Sequence, residues 1–205
     1  MIATIESYFS VIGDLSHVIE VTDRKGSGLN LDQCIKAFVS RAREAHLAGN
    51  KLMFIGNGGS STIASHMAED YTKAGNIRAI AFNDPAFITC LGNDLGYEQV
   101  FSKQIEMFAQ SGDILVAISS SGNSENILRG AESAINRGCW VLTLSGFSAS
   151  NKLRTIGDEN IFVPASEYGF VEIAHLTVCH AALDIALGLT VDQPETNNEL
   201  RVAIG

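Results

Sequence analysis

Apolar residues recur at helical spacing in the first 47 residues of the chain. Residues 1–24 and residues 31–47 each place apolar side chains three or four positions apart, which predicts two amphipathic helices. The sequence Lys-Gly-Ser-Gly at 25–28 predicts the break between them. Such a pair can pack on its own domain or on the same pair of another subunit, and the pattern leaves both arrangements open.

After this pair, short apolar runs alternate with helix-like segments. The runs that predict strands cover 51–55, 78–82, 113–119, 139–144 and 160–163. The helices are expected at 60–70, 86–91, 97–110, 125–137 and 168–189, with a loop at 92–96. Strands that alternate with helices pair in parallel. The predicted fold class is therefore α/β: a five-stranded parallel sheet flanked by helices in an α/β/α sandwich, preceded by two N-terminal helices.

Length and composition favour one domain. With 205 residues and 46% hydrophobic content, the chain can bury a sizeable core as a single domain over 1–205. We divide it into the helical pair at 1–50, an α/β core at 51–190 and a tail at 191–205. No apolar run is expected to span a membrane and the first residues lack the basic start of a signal peptide, so we expect a cytoplasmic protein. The net charge of −9 argues against generic binding to a nucleic acid backbone.

Two loops rich in glycine and serine follow predicted strands. The first is Gly56-Asn57-Gly58-Gly59-Ser60, and the second is Ser119-Ser120-Ser121-Gly122-Asn123-Ser124. Each precedes a predicted helix, whose free N–H groups and dipole attract phosphate. The first loop lacks both familiar nucleotide-binding spacings, and Ser60 or Ser61 is expected to cap its helix. Both loops lie at carboxyl ends of strands, where α/β sheets bind ligands. The alternative for each loop alone is an ordinary capped turn.

Imidazoles and carboxylates occur on two predicted helices. His66 and Asp70 are four residues apart and project from one helix face. The last helix carries Glu172, His175 and His180, and its geometry leaves both histidines as candidates. The alternatives are a surface ion pair and a core histidine. Together His66, Asp70, Glu172 and His180 could hold a zinc-type ion, or transfer protons with a carboxylate as base and an imidazole as acid. Beside a phosphate loop, this set suits a phosphosugar whose carbonyl moves between neighbouring carbons.

These segments, together with Gly92-Asn93-Asp94, resemble the SIS (sugar isomerase) fold over nearly the whole chain. More narrowly, they resemble the phosphoheptose isomerases, which interconvert sedoheptulose 7-phosphate and D-glycero-D-manno-heptose 7-phosphate. The resemblance implies that substrate and phosphate are bound by Asn57, Gly58, Gly59, Ser60, Asn93, Asp94, Ser119, Ser120, Ser121 and Ser124. It implies that His66 and His180 bind zinc and that His180 is also the general acid and base. We expect one zinc ion per subunit on His66, Asp70, Glu172 and His180, and catalysis by Asp70, Glu172 and His180.

The chain departs from this family at two metal positions. Asp70 stands where the best-known members have Glu as ligand and base, and Glu172 stands where they have Gln. We expect Asp70 to reach less far, and Glu172 to add charge and take over part of the base role. The departures leave room for a different phosphosugar, or for a product that enters lipopolysaccharide or other surface glycan synthesis.

The resemblance also implies an assembly and a rival function. Family members are typically homotetramers with the leading helices at the centre and active sites shared between subunits, which suits an amphipathic helix pair. Some proteins of this fold are non-catalytic, among them a partner of the bacterial replication initiator and sensors of phosphosugars. The four retained metal-site residues favour an enzyme, because a pure binding protein has no need of them.

Overall fold

A seven-stranded sheet in the order β2-β1-β7-β6-β5-β3-β4 forms the centre of the structure, a computed structural model that describes residues 4–189. The strands are β1 (Glu20–Asp23), β2 (Gly28–Leu29), β3 (Leu52–Gly56), β4 (Ala79–Ala81), β5 (Ile114–Ser119), β6 (Trp140–Gly146) and β7 (Glu159–Val163). The helices are α1 (Ile5–Val18), α2 (Leu31–Leu47), α3 (Gly59–Lys73), α4 (Pro85–Leu95), α5 (Val100–Phe108), α6 (Glu125–Asn136) and α7 (Tyr168–Leu187). Two short 3₁₀ helices lie at Tyr97–Gln99 and Lys152–Thr155. The predicted tail at 191–205 lies outside the described residues.

The sheet is mixed, so the prediction of five parallel strands is only partly right. Strands β3 to β7 correspond to the five predicted strands and pair in parallel. The two additional strands, β1 and β2, form an antiparallel hairpin, and β1 pairs antiparallel with β7. The first helix was expected to continue to residue 24, but α1 ends at Val18 and this hairpin follows it.

The hairpin has clear local causes. Val21, which the helical pattern included, lies opposite Ile161 of β7 and is only 4% exposed. The Asp23 carboxylate accepts hydrogen bonds of 2.8 Å from the N–H groups of Lys25 and Ser27, and Gly26 adopts a φ of 80°. A single buried valine fits a helix period and a strand period equally well, so spacing alone could not separate the two.

Helices cover both faces of the sheet. Along β3, Leu52 and Phe54 belong to one buried cluster, which includes residues of α2, α3 and α7. Met53 and Ile55 point to the other face and join residues of α4, α5 and α6. This alternation, with every residue of β3 buried, is the mark of a strand in the middle of a covered parallel sheet. Helix α1 packs on the start of α7, where Tyr8 stacks on Phe170 with ring centroids 4.6 Å apart.

Helix α4 is longer than its pattern indicated. Asp84 caps it by accepting hydrogen bonds from the N–H groups of Ala86 and Phe87, and Pro85 occupies its first turn. The predicted loop at 92–96 is wrong, because the helix continues to Leu95 and ends at Gly96, whose φ is 94°.

Helix α7 also differs from expectation. By length and composition, this helix is long and apolar enough to cross a membrane. The expectation that no apolar run would be long enough is therefore wrong by this criterion. Half of its most apolar window is buried inside the domain, which is how a central core helix packs.

Candidate active site

Both Gly/Ser loops line one cavity of about 250 Å³ at the carboxyl edge of the sheet. The loops meet there because β3 and β5 are neighbouring parallel strands that end at Gly56 and Ser119. The lining consists of Asn57, Gly58, Gly59, Ser60, Ile118, Ser119, Ser120, Ser121, Ser124, Tyr168 and Glu172. All the substrate-binding residues predicted in the two loops therefore face a common space.

The first loop leaves the start of α3 open to a ligand. Gly58 is the N-cap residue, with φ 54°, and no side chain caps the helix within the described chain. The expected cap by Ser60 or Ser61 is therefore wrong. Gly56 permits the tight turn, because a Cβ atom at this position would collide with the backbone of Ser60. The first N–H groups of α3 remain available for an anion.

The second loop has one hydroxyl that the protein does not satisfy. Ser119 Oγ accepts a hydrogen bond of 3.2 Å from Gly122 N and lies 3.4 Å from Ser124 Oγ, so this side chain supports the loop. Ser120 is only 5% exposed, and its Oγ has no hydrogen-bond partner among residues 4–189. A buried hydroxyl without a partner is rare, and this one lines the cavity. A phosphate oxygen would satisfy it.

Three metal-ligating residues come together on α3 and α7. Asp70 Oδ2 lies 3.4 Å from His66 Nε2 and 3.9 Å from His180 Nδ1. The two imidazole rings are 5.1 Å apart between centroids, and ligand atoms of all three residues lie within 4.8 Å of one another. Two imidazoles and a carboxylate are the donor set of many catalytic zinc sites, which use three protein ligands and keep one position open. These residues fit such an ion.

Glu172 is separate from these three residues, so the expected four-residue metal set is not assembled. Its carboxylate lies against the first turn of α3, where a Cβ atom at Gly59 would be 2.5 Å from Glu172 Oε1. Ligand atoms that lie within 4.8 Å of one another come from His66, Asp70 and His180 alone among the described residues. Along the α7 axis, His180 lies eight residues after Glu172, or about 12 Å further. Helix α7 thus brings His180 to Asp70 and Glu172 to the cavity that the two Gly/Ser loops line.

The structure also decides between His175 and His180, which helix geometry had left as equal candidates for the site. His175 is fully buried, with Nε2 3.1 Å from the carbonyl oxygen of Ser145 and Nδ1 unpaired among the described residues. Burial lowers the pKa of His175 to about 4. It is a neutral core residue, whereas His180 lies beside Asp70.

Asn93 and Asp94 lie outside the cavity of this chain. Both are exposed on α4, where Asn93 Nδ2 donates a 2.8 Å hydrogen bond to Asp94 Oδ1 and Cys90 Sγ lies 3.6 Å from Asp94 Oδ2. Neither residue is among those that line the cavity, and their predicted contact with the sugar stays a prediction.

Sequence reasoning missed two residues that contact Asn57. The side-chain amides of Asn57 and Asn126 exchange two hydrogen bonds of 2.9 Å, and Tyr97 Oη donates to Asn57 Oδ1 over 3.1 Å. The available signal was a polar residue, Asn126, immediately before the apolar positions of α6. That signal is weak, because asparagine is common near the exposed starts of helices.

Comparisons with known proteins show the family of this chain. The family described as SIS domain matches residues 28–146. Over 161 residues the chain is 33% identical to the phosphoheptose isomerase of Citrifermentans bemidjiense, covering 76% of this chain and 83% of that protein. Over 143 residues it is 40% identical to that of Cytophaga hutchinsonii, covering 66% and 73%. The structure of the phosphoheptose isomerase from Neisseria gonorrhoeae matches with a TM-score of 0.76 and 27% identity, covering 89% of this chain and 97% of that chain. The chain therefore belongs to the SIS domain family and, within it, to the phosphoheptose isomerases.

Proposed function

We propose that this chain is an aldose-ketose isomerase that interconverts sedoheptulose 7-phosphate and D-glycero-D-manno-heptose 7-phosphate. The observation that carries the proposal is the phosphate cavity with Glu172 in its wall and His180 on the same helix, beside Asp70 and His66. Names of relatives at 33% and 40% identity support the same reaction.

The two loops bind the phosphate group. Within residues 4–189, no side chain caps the N-termini of α3 and α6, which offer backbone N–H groups, and the buried Ser120 hydroxyl has no partner. Binding energy from this remote group holds the sugar in place while its other end reacts. The anchored phosphate therefore fixes which carbons reach the acid and base groups.

Protons move between two neighbouring carbons. A carboxylate removes a proton from the carbon beside the carbonyl, and an acid protonates the carbonyl oxygen, which forms an enediol. The reverse transfers on the other carbon complete the isomerisation, so the atoms balance without an external reactant. We assign the base role to Glu172 together with Asp70, because Glu172 lines the cavity and Asp70 is held between two imidazoles. His180 is the general acid and base toward the sugar oxygens.

The three residues on α3 and α7 would hold one zinc ion per subunit. When bound, zinc supplies a positive charge that stabilises the developing negative oxygen of the sugar. His66, Asp70 and His180 have the donor types and the spacing for it. Because Glu172 lines the phosphate cavity, we propose three protein ligands for the zinc ion rather than four.

We further propose a cytoplasmic homotetramer with a phosphosugar as its partner and a product that enters surface glycan synthesis. The N-terminal helix supports the assembly, because Ile5 and Phe9 on α1 are each about two-thirds exposed. A row of exposed apolar side chains on an amphipathic helix is typical of a symmetric contact.

The test follows the aldose product by NMR when the purified full chain is incubated with sedoheptulose 7-phosphate and zinc. We expect conversion that His180→Ala abolishes and that the control His17→Ala, an exposed histidine of α1, retains. A folded, zinc-loaded protein without conversion would overturn the proposal. Tight binding of the sugar phosphate without turnover would then indicate a phosphosugar-binding protein, and weak binding would indicate a different phosphosugar.

A further inference from the structure

A pair of asparagines joins the two loops of the phosphate cavity. Asn57 lies in the first loop, and Asn126 is the second residue of α6, immediately after the second loop. Asn57 Nδ2 donates to Asn126 Oδ1, and Asn126 Nδ2 donates to Asn57 Oδ1, each over 2.9 Å. Asn126 is only 3% exposed and does not line the cavity. Its side-chain amide is therefore hydrogen-bonded to Asn57 rather than to solvent.

Tyr97 completes the environment of the Asn57 amide. Its hydroxyl donates to Asn57 Oδ1 over 3.1 Å, so that oxygen accepts from two donors. In this orientation the Asn57 oxygen faces both donors and its NH₂ group faces Asn126 Oδ1. Among the described residues, one N–H of Asn57 has no acceptor. This N–H belongs to a residue that lines the cavity.

The rest of the first loop gives little other side-chain support. The N-cap residue is Gly58, and α3 has no side-chain cap in the described chain. The Asn57–Asn126 pair is the side-chain link that the structure shows between this loop and α6. Removal of the Asn126 amide takes away both hydrogen bonds of this pair and leaves Asn57, which is half-buried, with the Tyr97 hydroxyl alone.

We propose that Asn126 is a positioning residue for phosphate binding. It fixes the orientation of the Asn57 amide and holds the first loop against α6, so that both loops bind one phosphate group. Its relevance to a sugar phosphate rests on the proposed function, whereas its effect on inorganic phosphate does not.

The experiment measures binding of inorganic phosphate by calorimetry, together with kcat and KM for sedoheptulose 7-phosphate. The variant is Asn126→Leu, which has a similar size and no polar atoms. The matched control is Ser133→Ala on the same helix, which removes a buried hydrogen bond of 3.2 Å to the Ser102 carbonyl away from the loops. Tyr97→Phe removes only the hydroxyl that contacts Asn57.

We expect Asn126→Leu to weaken phosphate binding about tenfold and to raise KM similarly while kcat changes less. Tyr97→Phe should weaken binding by a smaller factor, and Ser133→Ala should leave it within about twofold while lowering stability. If Asn126→Leu does not fold, Asn126→Ser is measured instead. The short serine side chain cannot make either hydrogen bond to Asn57, and water can fill the remaining space.

Folded Asn126 variants with the affinity of the native chain would overturn the inference, as would an equal loss in Ser133→Ala. A native chain that binds no phosphate would overturn the inference and the proposed function together. Phosphate binding that depends on Asn126, in a chain that does not turn over sedoheptulose 7-phosphate, would support the inference and refute the proposed function alone.

Discussion

Glu172 lies directly over Gly59 at the first turn of α3, so closely that a Cβ atom at position 59 would be 2.5 Å from Glu172 Oε1. This contact places a carboxylate in the wall of the cavity that the two Gly/Ser loops line, apart from His66, Asp70 and His180. A side chain at position 59 would move the Glu172 carboxylate from this position.

Glu172→Gln tests the base role of this carboxylate. The amide has the same shape but cannot accept a proton, so we expect kcat to fall about 100-fold with little change in KM or zinc content. The measurement is steady-state kinetics together with metal analysis. The control is Glu167→Gln, which changes an exposed carboxylate just before α7. Turnover equal to that of the native chain would remove Glu172 from catalysis.

Removal of a ligand or of the metal tests the three-residue site. We expect His66→Ala to weaken zinc binding by more than about 100-fold, because two donors remain of the three. Dialysis of the native chain against a chelator should abolish isomerisation, and added zinc should restore it. Zinc content and activity are measured in parallel, with His17→Ala as the histidine control. Zinc bound equally well by His66→Ala would contradict the assignment.

Ser120 and Ser119 should respond differently to loss of their hydroxyls. Ser120→Ala removes a buried oxygen that has no partner among the described residues, so we expect no loss of stability and about tenfold weaker phosphate binding. Ser119→Ala removes an acceptor for Gly122 N and should lower the free energy of unfolding by about 1 kcal/mol. Urea unfolding and phosphate titration separate the two effects. A destabilised Ser120→Ala with unchanged phosphate affinity would reverse this assignment.

His175 should make stability depend on pH. Its pKa is about 4 in the folded state because it is buried, whereas an unfolded histidine titrates near 6.5. Between these values the unfolded chain binds more protons, so stability falls as the pH falls. We expect the native chain to lose about 2 kcal/mol more than His175→Gln between pH 7 and pH 5, as measured by urea unfolding. Parallel pH profiles of the two proteins would show that His175 does not contribute.

Much of the fold was evident from local patterns. The five apolar runs became the parallel strands β3 to β7. The runs of β3 and β5 are buried throughout, because a strand covered on both faces must be apolar along its length. The hairpin at β1 and β2 was not predicted, because Val21 has a strand partner only when β7 lies beside it. The end of α4 was also misplaced, since a single glycine inside a helix, such as Gly92, lowers helix propensity by only about 1 kcal/mol and does not by itself end the helix.

The sequence by itself determined the two Gly/Ser loops, their place after β3 and β5, and the pairing of His66 with Asp70, because these depend on neighbours within a few residues. Only the tertiary structure decided which histidine of α7 joins that pair, where Glu172 lies and that Asn126 supports Asn57. These relationships join residues that are 69 to 113 positions apart in the chain. They depend on how α3, α6 and α7 pack against the sheet, and no local spacing encodes that packing.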